Sequence, residues 1–130
     1  MSATPQKRIL VVEDDPSTAK MMGMQLHQVG FDVHLEDSGV SALSYAVEHK
    51  PDLVVLDVKL PDMNGYEVCK ELRQQTNPWV PPILMLTGMD QPIDQLRGFA
   101  HGADAYVTKP YDSDELVKTI KLLLGELALD

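Results

Sequence analysis

Short apolar runs alternate along the chain with segments in which apolar residues recur every three or four positions. Four runs are nearly unbroken and one mixes apolar with polar residues; in chain order the five lie at residues 9–12, 31–35, 53–56, 83–86 and 105–107. Continuous apolar character is typical of strands buried on both faces, as in parallel sheets. The segments that follow each run have the spacing of amphipathic helices.

Signals for helix ends agree with this alternation. Asp15 precedes Pro16, the residue favoured at a first helical position, and Asn64 and Asp112 each begin a capping-box spacing. Gly30 stands where the first helix would end. Because β–α units in strict alternation require right-handed crossovers, the sequence predicts an α/β fold. We expect a five-stranded parallel sheet in the flavodoxin-like order 2-1-3-4-5, with five helices on both faces.

Length and composition limit what the chain can be. Its 130 residues suffice for one domain with its own core, which we place at residues 8–128, after a disordered segment at residues 1–7. No apolar run approaches the roughly 20 residues that span a bilayer, and the polar N-terminus lacks the apolar stretch of a signal peptide. The single cysteine, Cys69, forms no internal disulfide. We therefore expect a cytoplasmic protein, and a net charge of −9 disfavours direct binding to nucleic acid.

Polar residues directly follow four of the five predicted strands, at the sheet edge where such folds carry their functional crevice. In chain order they are Glu13, Asp14, Asp57, Thr87 and Lys109. Carboxylates packed so closely raise each other's pKa unless a cation intervenes, and oxygen ligands select Mg²⁺ or Mn²⁺. The competing interpretation is a solvated acidic loop after the first strand.

The two remaining groups suggest what the metal site could serve. Lys109 precedes Pro110, which restricts its backbone to extended geometry; it could form a plain ion pair or hold an incoming phosphoryl group. Thr87 offers a hydroxyl, and Gly88 leaves Asp57 accessible. A metal ion, a carboxylate, a lysine and a hydroxyl are together what phosphoryl transfer to a carboxylate requires. For Asp15 we prefer a helix cap to a metal ligand.

Four motifs in order carry a resemblance to a known family. They read ILVVEDD at 9–15, PDLVVLDVKLPDMNG at 51–65, ILMLTG at 83–88 and GADAYVTKPY at 102–111. With these motifs the sequence resembles a response-regulator receiver domain, the CheY-like group of two-component signal transduction, over residues 8 to about 127.

The resemblance implies a role for each residue at the sheet edge. Asp57 would accept the phosphoryl group, forming an aspartyl phosphate, and Lys109 would bind that group. Asp14, Asp57 and the backbone carbonyl of Lys59 would hold Mg²⁺ (or Mn²⁺), with Glu13 acting through water. The chain would then be a signalling phosphoacceptor that catalyses only its own phosphotransfer and dephosphorylation. Lys59 and Met89 stand at positions where the family varies its dephosphorylation rate, so the lifetime of the signal stays open.

The resemblance also implies a switch and its partners. Thr87 would move to the phosphoryl oxygen and Tyr106 would then turn inward. We expect the signal to leave through the face formed by the fourth predicted helix (residues 93–100), the fifth strand and the fifth helix, here called the switch face. This face is also the candidate surface for a homodimer. The donor of the phosphoryl group would be a sensor histidine kinase or a histidine phosphotransfer protein. The signal would pass to a downstream effector or to a C-terminal output domain outside this chain.

Three other functions suit parts of the pattern. An FMN module of the flavodoxin type shares the fold, but the acids at residues 13–15 repel a bare phosphate. A haloacid-dehalogenase-type phosphatase would carry Asp-x-Asp after the first strand, whereas Asp57 follows the third. A pseudo-receiver would bind partners without phosphorylation, and the full set of polar residues argues against it. We assign no function to Trp79.

Overall fold

The computed structural model describes residues 6–75, 80–88, 100 and 102–126. Its strands are β1 (Arg8–Val12), β2 (Asp32–Glu36), β3 (Leu53–Asp57), β4 (Ile83–Thr87) and β5 (Ala105–Thr108). Its helices are α1 (Pro16–Gln28), α2 (Gly39–His49), α3 (Gly65–Gln75) and α4 (Ser113–Leu123). The helix expected at residues 93–100 lies outside the described residues except for Ala100, so α4 is the fifth of the predicted helices. Met89 and Trp79 also lie outside them.

The five strands form one parallel sheet in the order β2-β1-β3-β4-β5, which confirms the predicted fold. Register decides which residues share the carboxyl edge. Val12 of β1 lies opposite Leu56 of β3, so the next residues, Glu13 and Asp57, leave the sheet at the same level. Thr87 ends β4 at a similar level, because Leu86 lies opposite Asp57.

Alternating side chains of the strands divide the core into two layers. Leu10 and Val54 face α2 and α3, and their layer includes Ala42 and Leu72 from those helices. Ile9, Val55 and their equivalents on neighbouring strands face α1 and α4 on the other side. The central strands are therefore buried on both faces, as their continuous apolar runs predict. Among the described residues, no helix combines the length and apolar character needed to cross a membrane.

Helix caps lie where the sequence predicts them. The Asp15 carboxylate accepts a hydrogen bond from the Thr18 amide at 3.0 Å, and that of Asp112 accepts one from the Asp114 amide at 2.8 Å. Gly30, with φ of +101°, follows α1 in the left-handed region that glycine tolerates best. The Asp15 and Asp112 carboxylates satisfy amides that the first turn of a helix leaves without intrahelical partners.

The N-terminal boundary is described from Gln6 onward. The Gln6 amide donates to the Gly30 carbonyl at 3.0 Å, and the Asp32 amide donates to the Lys7 carbonyl at 2.9 Å. Residues 1–5, and the last residues of the predicted domain at 127–128, lie outside the described residues.

Candidate functional site

An open cavity of about 440 Å³ lies at the carboxyl edge of the sheet. The loops after β1, β3, β4 and β5 supply its lining, which consists of Glu13, Asp14, Asp15, Asp57, Lys59, Thr87, Gly88 and Lys109. The structure therefore brings together all the residues proposed from sequence except Tyr106. The loops meet here because parallel strands end side by side at one edge.

Three carboxylates form the acidic part of this cavity. Glu13, Asp14 and Asp57 each offer an oxygen, and these oxygens lie within 4.8 Å of one another. Glu13 and Asp57 are buried, whereas Asp14 is exposed. Negative charges this close repel one another unless a cation lies between them. The donor set is oxygen only, and its exposed member leaves room for water, so these residues fit a hard cation such as Mg²⁺ or Mn²⁺.

Lys109 supplies the positive charge of the cavity. Its ammonium Nζ donates to Glu13 Oε1 at 2.7 Å and to Asp57 Oδ2 at 3.0 Å. Burial lowers the pKa of Lys109, but the hydrogen bonds to Glu13 and Asp57 outweigh that effect and leave its pKa raised. The sequence left open whether Lys109 forms an ion pair or binds a phosphoryl group, and in this structure it forms two ion pairs.

Opposing effects act on the charge of Glu13. Burial raises the pKa of Glu13, its hydrogen bond with Asp57 raises it further, and the Lys109 ammonium acts in the opposite direction. The Asp15 amide also donates to Glu13 Oε2, at 3.3 Å. Glu13 is thus held on both oxygens behind the more exposed Asp14.

Asp57 is oriented by a contact on each of its oxygens. The Lys59 amide donates to Oδ1 at 3.3 Å, while Lys109 holds Oδ2. The loop after Asp57 closes on itself, because the Gly65 amide donates to the Val58 carbonyl at 2.6 Å and Lys59 pairs with Asn64 in an isolated antiparallel bridge. This geometry places the backbone of Lys59 beside the cavity.

Glycine at position 65 is required by this loop. A Cβ atom there would lie 2.7 Å from the Val58 Cα, a distance that real Cβ atoms essentially never show. The loop also leads directly into α3, where the Asn64 side chain accepts a hydrogen bond from the Tyr66 amide at 2.7 Å.

Thr87 and Tyr106 lie on neighbouring strands and on the same side of the sheet. Tyr106 is opposite Met85, two residues before Thr87, and side chains two residues apart on a strand share a face. Thr87 is buried and lines the cavity. Tyr106 is half-buried and packs against the core layer of α2 and α3.

One site-adjacent residue escaped the sequence reasoning. Asp62, in the loop after Asp57, accepts hydrogen bonds from the amides of Gly39 and Val40 at the start of α2. Nothing local marks this contact, because its partners lie more than 20 residues earlier in the chain. A carboxylate placed soon after a strand-end aspartate is the one weak signal that could have drawn attention to it.

Comparison with known proteins agrees with the fold and the cavity. A family model described as the response regulator receiver domain matches residues 9–121. The chain is 45% identical over 118 residues to the alkaline phosphatase synthesis transcriptional regulatory protein PhoP of Bacillus subtilis, covering 91% of this chain and 48% of PhoP. It is 44% identical over 121 residues to the DNA-binding response regulator MtrA of Mycolicibacterium smegmatis, covering 93% of this chain and 52% of MtrA.

Solved structures give the same result. The chemotaxis protein CheY4 of Vibrio cholerae matches with a TM-score of 0.86 at 32% identity, covering 92% of this chain and 99% of that chain. The BeF3-activated N-terminal receiver domain of RstA from Klebsiella pneumoniae matches with a TM-score of 0.84 at 32% identity, covering 91% and 98%.

This chain spans about half the length of the curated relatives it matches. Its acidic pocket of Glu13, Asp14 and Asp57 fits the site of a phosphoacceptor aspartate. The family model covers most of the sequence, and relatives and solved structures agree with it. The chain therefore belongs to the response regulator receiver domain family.

Proposed function

We propose that this chain receives a phosphoryl group on Asp57 from a phosphohistidine of a sensor histidine kinase or a histidine phosphotransfer protein. The observation that carries the proposal is the position of Asp57, whose Oδ2 lies 3.0 Å from the Lys109 ammonium and whose carboxylate lies beside two more. Receiver domains are signalling domains and not classical enzymes. In this role the chain is the acceptor of one transfer rather than a catalyst of many.

The transfer needs an oxygen nucleophile and compensation for charge on the phosphoryl oxygens. An Asp57 oxygen forms the new bond to phosphorus while the bond from phosphorus to the histidine nitrogen breaks. The electron pair of that bond goes to the imidazole, which leaves neutral because its other nitrogen carries a proton. Lys109 exchanges its contact with Asp57 Oδ2 for an equatorial phosphoryl oxygen, and keeps Glu13 as its second partner.

The carboxylates of Asp14 and Asp57 and the backbone carbonyl of Lys59 would hold Mg²⁺ or Mn²⁺, with Glu13 acting through a water molecule. Support comes from the oxygen-only donor set, whose atoms lie within 4.8 Å of one another. A bound divalent ion would neutralise the repulsion between the carboxylates and the incoming phosphoryl oxygens. Water entering the same open cavity would attack phosphorus and break its bond to the Asp57 oxygen, which releases inorganic phosphate and restores the carboxylate, so the domain would catalyse its own dephosphorylation.

Phosphorylation adds roughly −1.5 to −2 charges and three strong acceptor oxygens to the cavity. The Lys109 ammonium and the Thr87 hydroxyl would donate to these oxygens in the phosphorylated chain but not in the unphosphorylated one, and this difference would shift the conformational equilibrium. Tyr106 lies on the same side of the sheet, one strand away from Thr87, so a movement of Thr87 opens or closes space for its ring. The switch face would carry this change outward, although its helix at 93–100 lies outside the described residues except for Ala100.

The relatives suggest where the signal goes. One is named a transcriptional regulatory protein and another a DNA-binding response regulator, and both are about twice as long as the matched region. By extension, an output domain or a separate effector would receive the signal from the switch face, in the cytoplasm and with homodimerisation through the same face. The net charge of −9 would disfavour direct contact of this domain with nucleic acid.

Labelling with radioactive acetyl phosphate in the presence of Mg²⁺ tests the proposal. The wild-type chain should incorporate phosphate that hydroxylamine releases, as expected for an acyl phosphate, and Asp57→Asn should incorporate none. Asp15→Asn is the matched control, because Asp15 lines the same cavity but caps α1, and asparagine caps helices equally well. Equal labelling of Asp57→Asn would refute the assignment. An unlabelled wild type would favour the pseudo-receiver alternative.

A further inference from the structure

Asp62 connects the loop of the phosphoacceptor to a helix that contributes no side chain to the cavity. Its Oδ1 accepts the Gly39 amide at 2.8 Å, and its Oδ2 accepts the Val40 amide at 2.9 Å. The two amides belong to the first turn of α2, where backbone donors lack intrahelical partners. These hydrogen bonds lower the pKa of Asp62, so the carboxylate is charged at neutral pH.

The contact is a second cap of α2 that also joins two segments distant in the chain. The N-cap of α2 is Ser38, whose side chain already accepts a hydrogen bond from the Ser41 amide at 3.2 Å. Asp62 comes from a loop 22 and 23 residues later and uses both oxygens. The contact therefore joins two loops at the rim of the sheet, in addition to stabilising the helix.

The loop that carries Asp62 has its base at the cavity and its tip at α2. At the base, the Gly65 amide donates to the Val58 carbonyl and Lys59 pairs with Asn64. At the tip, α2 packs against the loop without room for a side chain at Gly39, where a Cβ atom would meet Val68 at 2.9 Å and the Met63 side chain even closer. Asp62 thus holds the tip of a loop whose base includes Lys59.

We propose that Asp62 is a positioning residue for the metal site: by fastening this loop to α2, it fixes the backbone carbonyl of Lys59 at the cavity edge. The inference rests on the proposed function, in which that carbonyl is a ligand of Mg²⁺. A carbonyl held in place before the ion arrives requires less ordering of the loop on binding. Partners that orient metal ligands typically change metal affinity by about 10–100-fold when they are removed. Asp62 acts through the loop, so we expect a smaller effect.

The experiment compares Asp62→Ala with Asp112→Ala. Asp112 is a matched control, because its exposed carboxylate accepts two amides at the start of α4, from Asp114 at 2.8 Å and Glu115 at 3.3 Å. Both variants should lose thermal stability. Only Asp62→Ala should raise the dissociation constant for Mg²⁺, by about three- to tenfold, in calorimetry on the unphosphorylated chain. The dissociation constant of Asp62→Asn should lie between those of Asp62→Ala and wild type, because asparagine has one acceptor oxygen in place of the two that the carboxylate offers to Gly39 and Val40.

The outcomes separate this inference from the proposed function. Equal Mg²⁺ affinity in wild type and Asp62→Ala, or an equal loss in Asp62→Ala and Asp112→Ala, would reduce Asp62 to a helix cap and overturn the inference. If Asp62→Ala does not fold, the same comparison is made with Asp62→Asn. At saturating Mg²⁺, Asp62→Ala should still be labelled on Asp57 at close to the wild-type rate. Failure of the wild type to be labelled would instead refute the proposed function.

Discussion

Replacing Lys109 by methionine is the sharpest test of how the cavity balances its charges. The substitution keeps much of the aliphatic chain but removes the ammonium that contacts Glu13 at 2.7 Å and Asp57 at 3.0 Å. The side chain of Glu13 is only 2% exposed and that of Asp57 only 7%. Both carboxylates would therefore lose their cationic partner in a place that water reaches poorly.

The expected loss of stability follows from these exposures. Removing one partner of a buried ion pair typically costs about 3–5 kcal/mol, whereas an exposed pair contributes about 1 kcal/mol or less. Lys109 is itself 30% exposed, so water replaces part of the lost interaction. We expect Lys109→Met to lower the free energy of unfolding by about 1–3 kcal/mol at pH 7.5 without metal.

The pH dependence of this loss has a definite sign. The raised pKa of Lys109 means that its stabilising contribution is complete below the pKa of the unfolded chain and is lost as the pH rises through the folded-state pKa. In the variant, burial keeps the pKa of Glu13 raised. As the pH falls toward that pKa, a proton neutralises Glu13 and removes part of the repulsion. The deficit of the variant should therefore be smaller at pH 5 than at pH 7.5.

Urea denaturation at both pH values, with and without Mg²⁺, measures these effects. Lys59→Met is the matched control, because Lys59 is an exposed lysine that lines the same cavity, and we expect its stability to change by less than about 0.5 kcal/mol. Mg²⁺ should stabilise Lys109→Met more than wild type, since the ion replaces the missing positive charge. A Lys109→Met variant as stable as Lys59→Met at pH 7.5 would refute the charge-balance reasoning.

One further substitution tests the proposed switch, and one chemical probe tests the core. Thr87→Ala should still be labelled on Asp57. It would lack the proposed hydrogen bond to the charged phosphoryl group, a type of bond worth about 1.5–3 kcal/mol. The phosphorylation-induced changes in the amide spectra of residues 105–108 should therefore shrink, and full-sized changes would exclude Thr87 from the switch. Cys69 is fully buried, and burial raises the pKa of its thiol to about 11. It should resist a thiol reagent at pH 8 until urea unfolds the chain, whereas rapid reaction of the folded protein would contradict the described core.

The sheet was predictable because a strand that is buried on both faces needs apolar residues along its length. The sequence of each strand therefore reflects how deeply that strand is buried. β3 and β4 are buried along their whole length, and each reads as an unbroken apolar run up to the polar residue that ends it. The second strand was the least regular prediction, and its structure explains why. Among the described strands, β2 lies at the edge of the sheet and pairs with β1 alone, and Leu35 on it is 41% exposed. Phe31, at the start of the predicted run, is buried but precedes the strand.

The cavity was predictable for a different reason, since parallel strands end at one edge whatever their register. Register adds the detail that the sequence lacks, such as Glu13 and Asp57 lying at one level. The contact between distant segments made by Asp62 left only a weak signal, a carboxylate soon after a strand-end aspartate. Asp62 reaches α2 across more than 20 residues, and only packing of α2 against the loop brings these groups together. Such contacts depend on tertiary geometry, which cannot be read from the periodicity of apolar residues or from the spacing of short motifs.

Charge in the cavity links metal binding to phosphorylation, the two events proposed for this site. In the described structure, the Lys109 ammonium donates to the carboxylates of both Glu13 and Asp57. It is therefore ion-paired before any phosphoryl group arrives. With a divalent ion held near Asp14 and Asp57, less of the carboxylate charge would be left for the Lys109 ammonium to neutralise, and the ammonium could then contact the phosphoryl oxygens. Metal binding and phosphorylation should therefore strengthen each other, and this coupling must be reciprocal for the two binding free energies. If Glu13 keeps its contact with Lys109 during transfer, as proposed, it would set how far the ammonium can move.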